Sequence, residues 1–233
     1  MIRTAFLAAA LGALALPAAA VTVSATASLD LTASEIPDGI EIVLDADSDV
    51  FEDAIGNAAA SADLSFPGGP DAAGYDAVTG ASASPIGDAF ADAAVFDFYT
   101  ITDAAGLGGS VTIDVAWDLA TDVSDVGPGE LGAAFAAFGI YELLEDGSEA
   151  VIAEVLAASG DGTLTGLDLP GVPATGAGAR SITLEFDPFG SRAFYVDVAA
   201  FSVALSEVAP IPVPAGGWLL LAGLGGLALR RRR

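Results

Sequence analysis

Between Val111 and Leu119 every second residue is apolar: Val111, Ile113, Val115, Trp117 and Leu119 alternate with Thr112, Asp114, Ala116 and Asp118. A period of two marks a strand with one buried face, because a helix would repeat every 3.6 residues. The pattern already holds from Val21, where Val21, Val23, Ala25, Ala27, Leu29 and Leu31 face away from Thr, Ser and Asp. It returns in Ile40, Ile42 and Leu44 after a Pro37-Asp38-Gly39 turn, and again in Ile182, Leu184 and Phe186. Ala91–Thr102 is aromatic and β-branched, with Ala104–Gly109 reading as a hairpin-type connection to the Val111 strand. Leu131–Leu144 is apolar on both parities, as in a strand covered on both faces, and Ala150–Ala157 pairs back across Asp146-Gly147. Leu164, Leu167 and Leu169 form a short strand before a Pro170–Gly178 loop. Asp187-Pro-Phe-Gly190 turns the chain into a closing strand, Ala193–Leu205. Two stretches read differently: Phe51–Asn57 as a short helical turn, and Phe66–Pro85, rich in Gly, Pro, Ala and Ser, as a long loop or weak edge strands.

Short strands between Gly, Pro and Asp turns predict an all-β fold: a single β-sandwich or jelly-roll-like domain over residues 21–209. An N-terminal signal-peptide helix (1–20) and a C-terminal hydrophobic helix within the tail (210–233) flank it. At the N-terminus Arg3 precedes an apolar run from Ala5 to Leu16, Pro17 breaks it, and Ala18 and Ala20 supply small residues at −3 and −1. That order is a secretory signal with cleavage after Ala20.

Charge narrows the partners. The chain has 7 Lys+Arg and 32 Asp+Glu, with no His and no Cys. Only Arg180 and Arg192 lie in the body with all 32 acids, which leaves it at −30. Such a body repels nucleic acid and anionic membrane surfaces, which need Lys and Arg to displace counterions. It suits a salty habitat, where screening relieves self-repulsion, or reflects an alanine- and glycine-biased genome. Without His, Cys or Lys the body cannot build the usual nucleophile–base triads, imidazole metal sites or Schiff-base lysines. A carboxylate pair drawn from residues such as Glu142, Glu154 and Glu185 is the one hydrolytic option, but most acids suit solvated faces and turns, and we read the chain as no enzyme.

No cofactor is expected beyond calcium. Asp45, Asp47 and Asp49, with Glu52 or Asp53, offer clustered oxygens on a turn. Val50 stands where an EF-hand needs Gly, and Gly56 where it needs Glu, so the loop is not an EF-hand. Asp122 and Asp125 form a second candidate. For a sugar, Tyr75 in the long loop is the aromatic best placed, while Trp117, Phe96 and Phe98 read as core.

The tail carries the address. Ile211-Pro212-Val213-Pro214-Ala215 leads into an apolar run ending at Leu229, followed by Arg230, Arg231, Arg232 and Arg233. Ala215–Leu229 makes roughly 22 Å of helix, short of the ~20 residues a span usually needs. The arginines hold the end in the cytoplasm, placing the body beyond the inner membrane, as the signal peptide also requires. A Pro-spaced motif, a Gly/Leu helix and an Arg cluster resemble the PEP-CTERM class of bacterial sorting tails, in its VPLPA variant. Ile replaces the leading Val and Val the central Leu. The resemblance implies an exosortase-type membrane transpeptidase as partner, transient residence in the inner membrane, and delivery to the cell surface or exterior, where exopolysaccharide or matrix is the neighbour. The expected function is an exported structural protein of the cell envelope or extracellular matrix. The alternative is a calcium- or carbohydrate-binding module on the same scaffold.

Overall fold

The computed structural model describes residues 20–44, 49–66, 72–83, 87–127, 130–160 and 172–206. Eleven strands account for nearly all of them: β1 (Val21–Glu35), β2 (Ile40–Leu44), β3 (Asp49–Ile55), β4 (Ala58–Ser65), β5 (Ala72–Ala83), β6 (Ala89–Asp103), β7 (Gly109–Ser124), β8 (Glu130–Leu143), β9 (Glu149–Gly160), β10 (Thr175–Phe186) and β11 (Ser191–Ser206). They form two antiparallel sheets in the manner of a β-sandwich. Sheet A runs β10-β7-β1-β5-β4. Sheet B runs β2-β6-β11-β8-β9, with β3 beside β2 along the same edge of β6. The Leu164–Leu169 strand and both flanking helices lie outside the described residues.

Period-two alternation sorts the side chains as expected. Val21, Val23, Ala25, Ala27 and Leu29 of β1 are buried, as are Val111, Val115 and Leu119 of β7. They face Val95 and Ile101 of β6 and Phe194, Val196 and Val198 of β11 in one core cluster. Trp117 packs against that cluster half-buried, its ring 5.3 Å from Phe138.

Four readings need correction. Phe51–Asn57 is no helical turn, because Asp49–Ile55 is a strand paired with Phe90–Phe96. Acids spaced like a helix face lose to the ladder offered by β6. The stretch read as a long loop or weak edge strands contains β5, which is an interior strand of sheet A between β1 and β4. Finally, Ala104–Gly108 makes no hairpin: β6 belongs to sheet B and β7 to sheet A, so the segment arches between sheets. Consecutive strands are hydrogen-bonded neighbours only at β4–β5 and β8–β9 among the described residues. The stretch read as a Pro170–Gly178 loop likewise holds the start of a strand, since β10 begins at Thr175.

Candidate functional site

Carboxylates are the chemistry this chain has most of, and their positions divide into three settings. The first is the core. Asp97 of β6 and Tyr75 of β5 are both fully buried, and the Tyr75 hydroxyl donates to Asp97 Oδ2 at 3.0 Å. The bond ties sheet A to sheet B, as does Thr79 of β5 to Ser202 of β11 at 2.7 Å. Tyr75 is therefore a core residue and not an exposed sugar platform. A carboxyl in a sandwich core costs several kcal/mol unless it is hydrogen-bonded, so the donor opposite it is structural.

The second setting is the end of the sandwich where the arch lies. Asp103 closes β6, is 1 % exposed, and accepts from the backbone N–H of Gly106 at 2.9 Å, Gly108 at 2.7 Å and Phe189 at 3.3 Å. Its own N–H donates to Gly190, while Ala104 N–H donates to Gly39. One carboxylate thus pins two turns, the arch and Asp187–Gly190, while backbone bonds from Ala104 and Ala105 tie the arch to Gly39. Burial works against its charge, but the N–H groups of Gly108, Leu107, Phe189 and Gly106 outweigh it and hold its pKa below the ordinary aspartate range. Gly106 has φ +70°, and a Cβ there would fall 2.1 Å from the Phe189 ring, so the turn requires glycine. Nearby, Arg192 bridges Glu142 through two of its nitrogens, Nε at 2.6 Å and Nη2 at 2.5 Å. Its guanidinium also lies against the rings of Phe186 and Phe194.

The third setting is the outer faces. On sheet A they carry Thr, Ser and Asp, and Asp76 is pushed above the usual carboxylate range by partial burial and by Asp30 and Asp63. On sheet B, Asp92 is raised by burial and by Asp53, and Asp197 by burial alone. Asp197 Oδ1 is enclosed and has no hydrogen-bond partner among the described residues. In the opposite direction, the Ser181 and Ser34 hydroxyls lower Asp114, and the Ser148 side chain and N–H lower Asp146.

A pH profile follows from the signs. Asp76, Asp92 and Asp197 are penalised when ionised, so stability rises as pH falls through their raised folded values toward the unfolded value near ~3.9. Asp103, Asp114 and Asp146 stabilise fully above that unfolded value, and the contribution is lost as pH falls through their depressed folded values. Thermal melts between pH 3 and 8 should therefore peak on the acid side of neutrality, near or above the unfolded carboxylate value of ~3.9. Added NaCl should raise the melting temperature more at pH 7 than at the peak, by screening the body's −30 charge. A maximum at or above pH 7 would contradict this balance.

The residues singled out from the sequence are not brought into one place. Ala20 precedes β1 and accepts from the Thr22 hydroxyl at 3.4 Å. Ala18, Ile211, Pro212, Val213, Pro214, Ala215 and Arg230–Arg233 lie outside the described residues, as do Asp45 and Asp47. Asp49 opens β3 opposite Phe96. Glu52 accepts from the N–H of Ala62 at 2.8 Å, so it reaches from sheet B to cap an edge strand of sheet A. Among the described residues no three carboxylates are arranged to hold a metal ion. Phe96, 39 % exposed, and Phe98 stand on the outer face of sheet B and not in the core.

A cavity of about 50 Å³ remains between the sheets, lined by Leu31, Ile42, Tyr99, Ile101, Ile140 and Phe194 among others. It is room for one or two waters, not for a ligand. Tyr99 lines it with its hydroxyl buried and unpartnered among the described residues, and burial pushes the phenol's pKa upward. No protein-family model, curated protein or solved structure matches the chain.

Proposed function

We propose that this chain is an exported, non-catalytic structural protein of the cell envelope or extracellular matrix, released from its tail by an exosortase-like transpeptidase. The observation that carries the reading is the order of the tail: Pro-spaced motif, apolar run, four arginines, preceded by a signal peptide that imposes the same topology. The positions of β1 and β11 are compatible with processing at both ends. Val21, the residue after the expected signal cut, is fully buried and pairs with Ala83, so cleavage there leaves the sandwich whole. β11 ends at Ser206, five residues before Ile211, so loss of the tail takes none of the eleven described strands.

The −30 body also suits the exterior role, because it stays soluble once the arginines are gone. Replacing Pro212 and Pro214 by Ala should leave full-length protein in the inner membrane, while the parent chain leaves it. Fractionation and blotting read the outcome. Release of the double variant at the parental rate would count against recognition of the motif.

A further inference from the structure

The turn that Asp103 clamps between β10 and β11 opens with a bond found once in the chain, since Asp187–Pro188 is its only Asp-Pro pair. Proline makes that bond a tertiary amide, whose nitrogen leaves with a proton more readily than an ordinary peptide nitrogen does. An aspartate on the acyl side reaches its own carbonyl carbon through a five-membered ring. Both residues are exposed, so water has access to the bond.

Four features of the turn bear on this bond. The Gly190 N–H donates at 2.7 Å to the Asp187 carbonyl oxygen, the atom that gains negative charge on attack. A Cβ at Gly190 would stand 2.8 Å from that oxygen and 3.6 Å from the carbonyl carbon, so glycine leaves the carbonyl unshielded on that side. Phe189 sits at φ +63°, a left-handed conformation that a bulky side chain rarely adopts. The ends of the turn are fixed, with Phe186 paired to Gly109 and Ser191 to Thr102. Asp103 holds the middle, accepting the Phe189 N–H at 3.3 Å and donating its own N–H to the Gly190 oxygen. The turn is thus kept strained while the bond between Asp187 and Pro188 is whole.

We propose that Asp187–Pro188 is a self-cleavage site. One oxygen of the Asp187 carboxylic acid attacks the Asp187 carbonyl carbon, the C–N bond to Pro188 breaks, and the acid's proton leaves on the proline nitrogen as a secondary amine. Water then opens the cyclic anhydride into a side-chain and a terminal carboxyl, so the sum is hydrolysis of one peptide bond. Each chain reacts once, which is compatible with a non-catalytic structural role, and the reaction does not depend on how the tail is processed. The piece that carries β11 stays seated in the middle of sheet B, between β6 and β8. Strand pairing and packing alone then hold the body to its own C-terminal segment.

The step consumes the carboxyl's proton, so it quickens as pH falls toward ~4, where carboxyl groups protonate. The charged groups around the turn are Asp103 beneath it, Glu185 and the Glu142-paired Arg192 on the strands it joins, and Asp38 in the turn tied to the arch. The purified full chain, held folded at about pH 4.5, should yield over days a piece ending at Asp187 and a piece beginning at Pro188, read by denaturing gel and intact mass. It should cut at least about tenfold faster than the same chain unfolded in urea at that pH, because the bound N–H and the strained turn exist only in the fold. Pro188→Ala should abolish the cut. Gly190→Ala should bring the folded rate down to the unfolded one with circular dichroism unchanged; should that variant unfold, Phe189→Gly, which removes the strain, should slow the cut instead. The proposal is overturned if the bond stays whole, or if the cut falls elsewhere or persists in Pro188→Ala, as a contaminating protease would give. It is equally overturned if the unfolded chain cuts as fast as the folded one, the ordinary acid lability of an Asp-Pro bond, or if the folded turn variants cut at the parental rate.

Discussion

Asp103→Ala should lower the melting temperature by about 10 °C or more, the largest loss from any single polar substitution in the body. The side chain is buried and accepts three backbone N–H bonds, from Gly106, Gly108 and Phe189. Alanine leaves these donors in a closed site with nothing to accept them, and each unmet donor is costlier than the net gain of one bond. The arch and the Asp187–Gly190 turn would loosen together, because they share one anchor. Asp103→Asn keeps one carbonyl oxygen and should fall between parent and alanine variant. Its deficit should shrink as pH drops below ~4, where the parent carboxylate itself is lost as pH passes its depressed folded value. Scanning calorimetry of the three proteins at pH 7 and pH 3.5 reads this directly. A shift of 2 °C or less for the alanine variant would mean that the turns are held by something else.

Tyr75→Phe carries the second large effect. Removing one hydroxyl takes a donor from Asp97, whose carboxyl is wholly enclosed, at a cost of about 1–3 kcal/mol. The cost should depend on the partner. In an Asp97→Val background the same Tyr75→Phe change should cost much less, because the acceptor it served is gone. Urea titrations of the four proteins give the coupling energy. Strict additivity would show that the 3.0 Å contact contributes nothing specific.

These two residues also mark where sequence reasoning reached and where it stopped. The alternation in Val21–Leu31 and Val111–Leu119 was legible because Val, Leu, Ile, Trp and Ala alternate there with mostly polar residues, and burial follows parity. β5 was not legible. Its inward positions include Ala73, Ala77, Ala81 and Ala83, side chains too small to announce a strand. What makes them one is non-local: β1 on one edge and β4 on the other satisfy its backbone. Tyr75 therefore read as a loop aromatic although it is the largest fully buried side chain among the described residues.

The arch was misread for a related reason. A Gly-rich link between two strands looks the same whether the strands pair or lie in opposite sheets, and only the pairing of β6 with β11 and β7 with β1 decides. One signal was available in Thr102-Asp103-Ala-Ala-Gly106-Leu-Gly108. An aspartate three and five residues before glycines can receive their N–H groups in a turn. Leu131–Leu144 was read as covered on both sides; its outer parity does carry Phe135, Ala137 and Tyr141, but no other described strand overlies that face.

The central claim is that the tail is an address removed from an exported sandwich. Its most direct test is the mass of the C-terminal peptide of the protein recovered outside the inner membrane of its own cells. The proposal predicts a C-terminus at or near Ile211–Ala215, without the apolar run and without Arg230–Arg233, together with an N-terminus at Val21. Recovery of the external form with the four arginines still attached would contradict it.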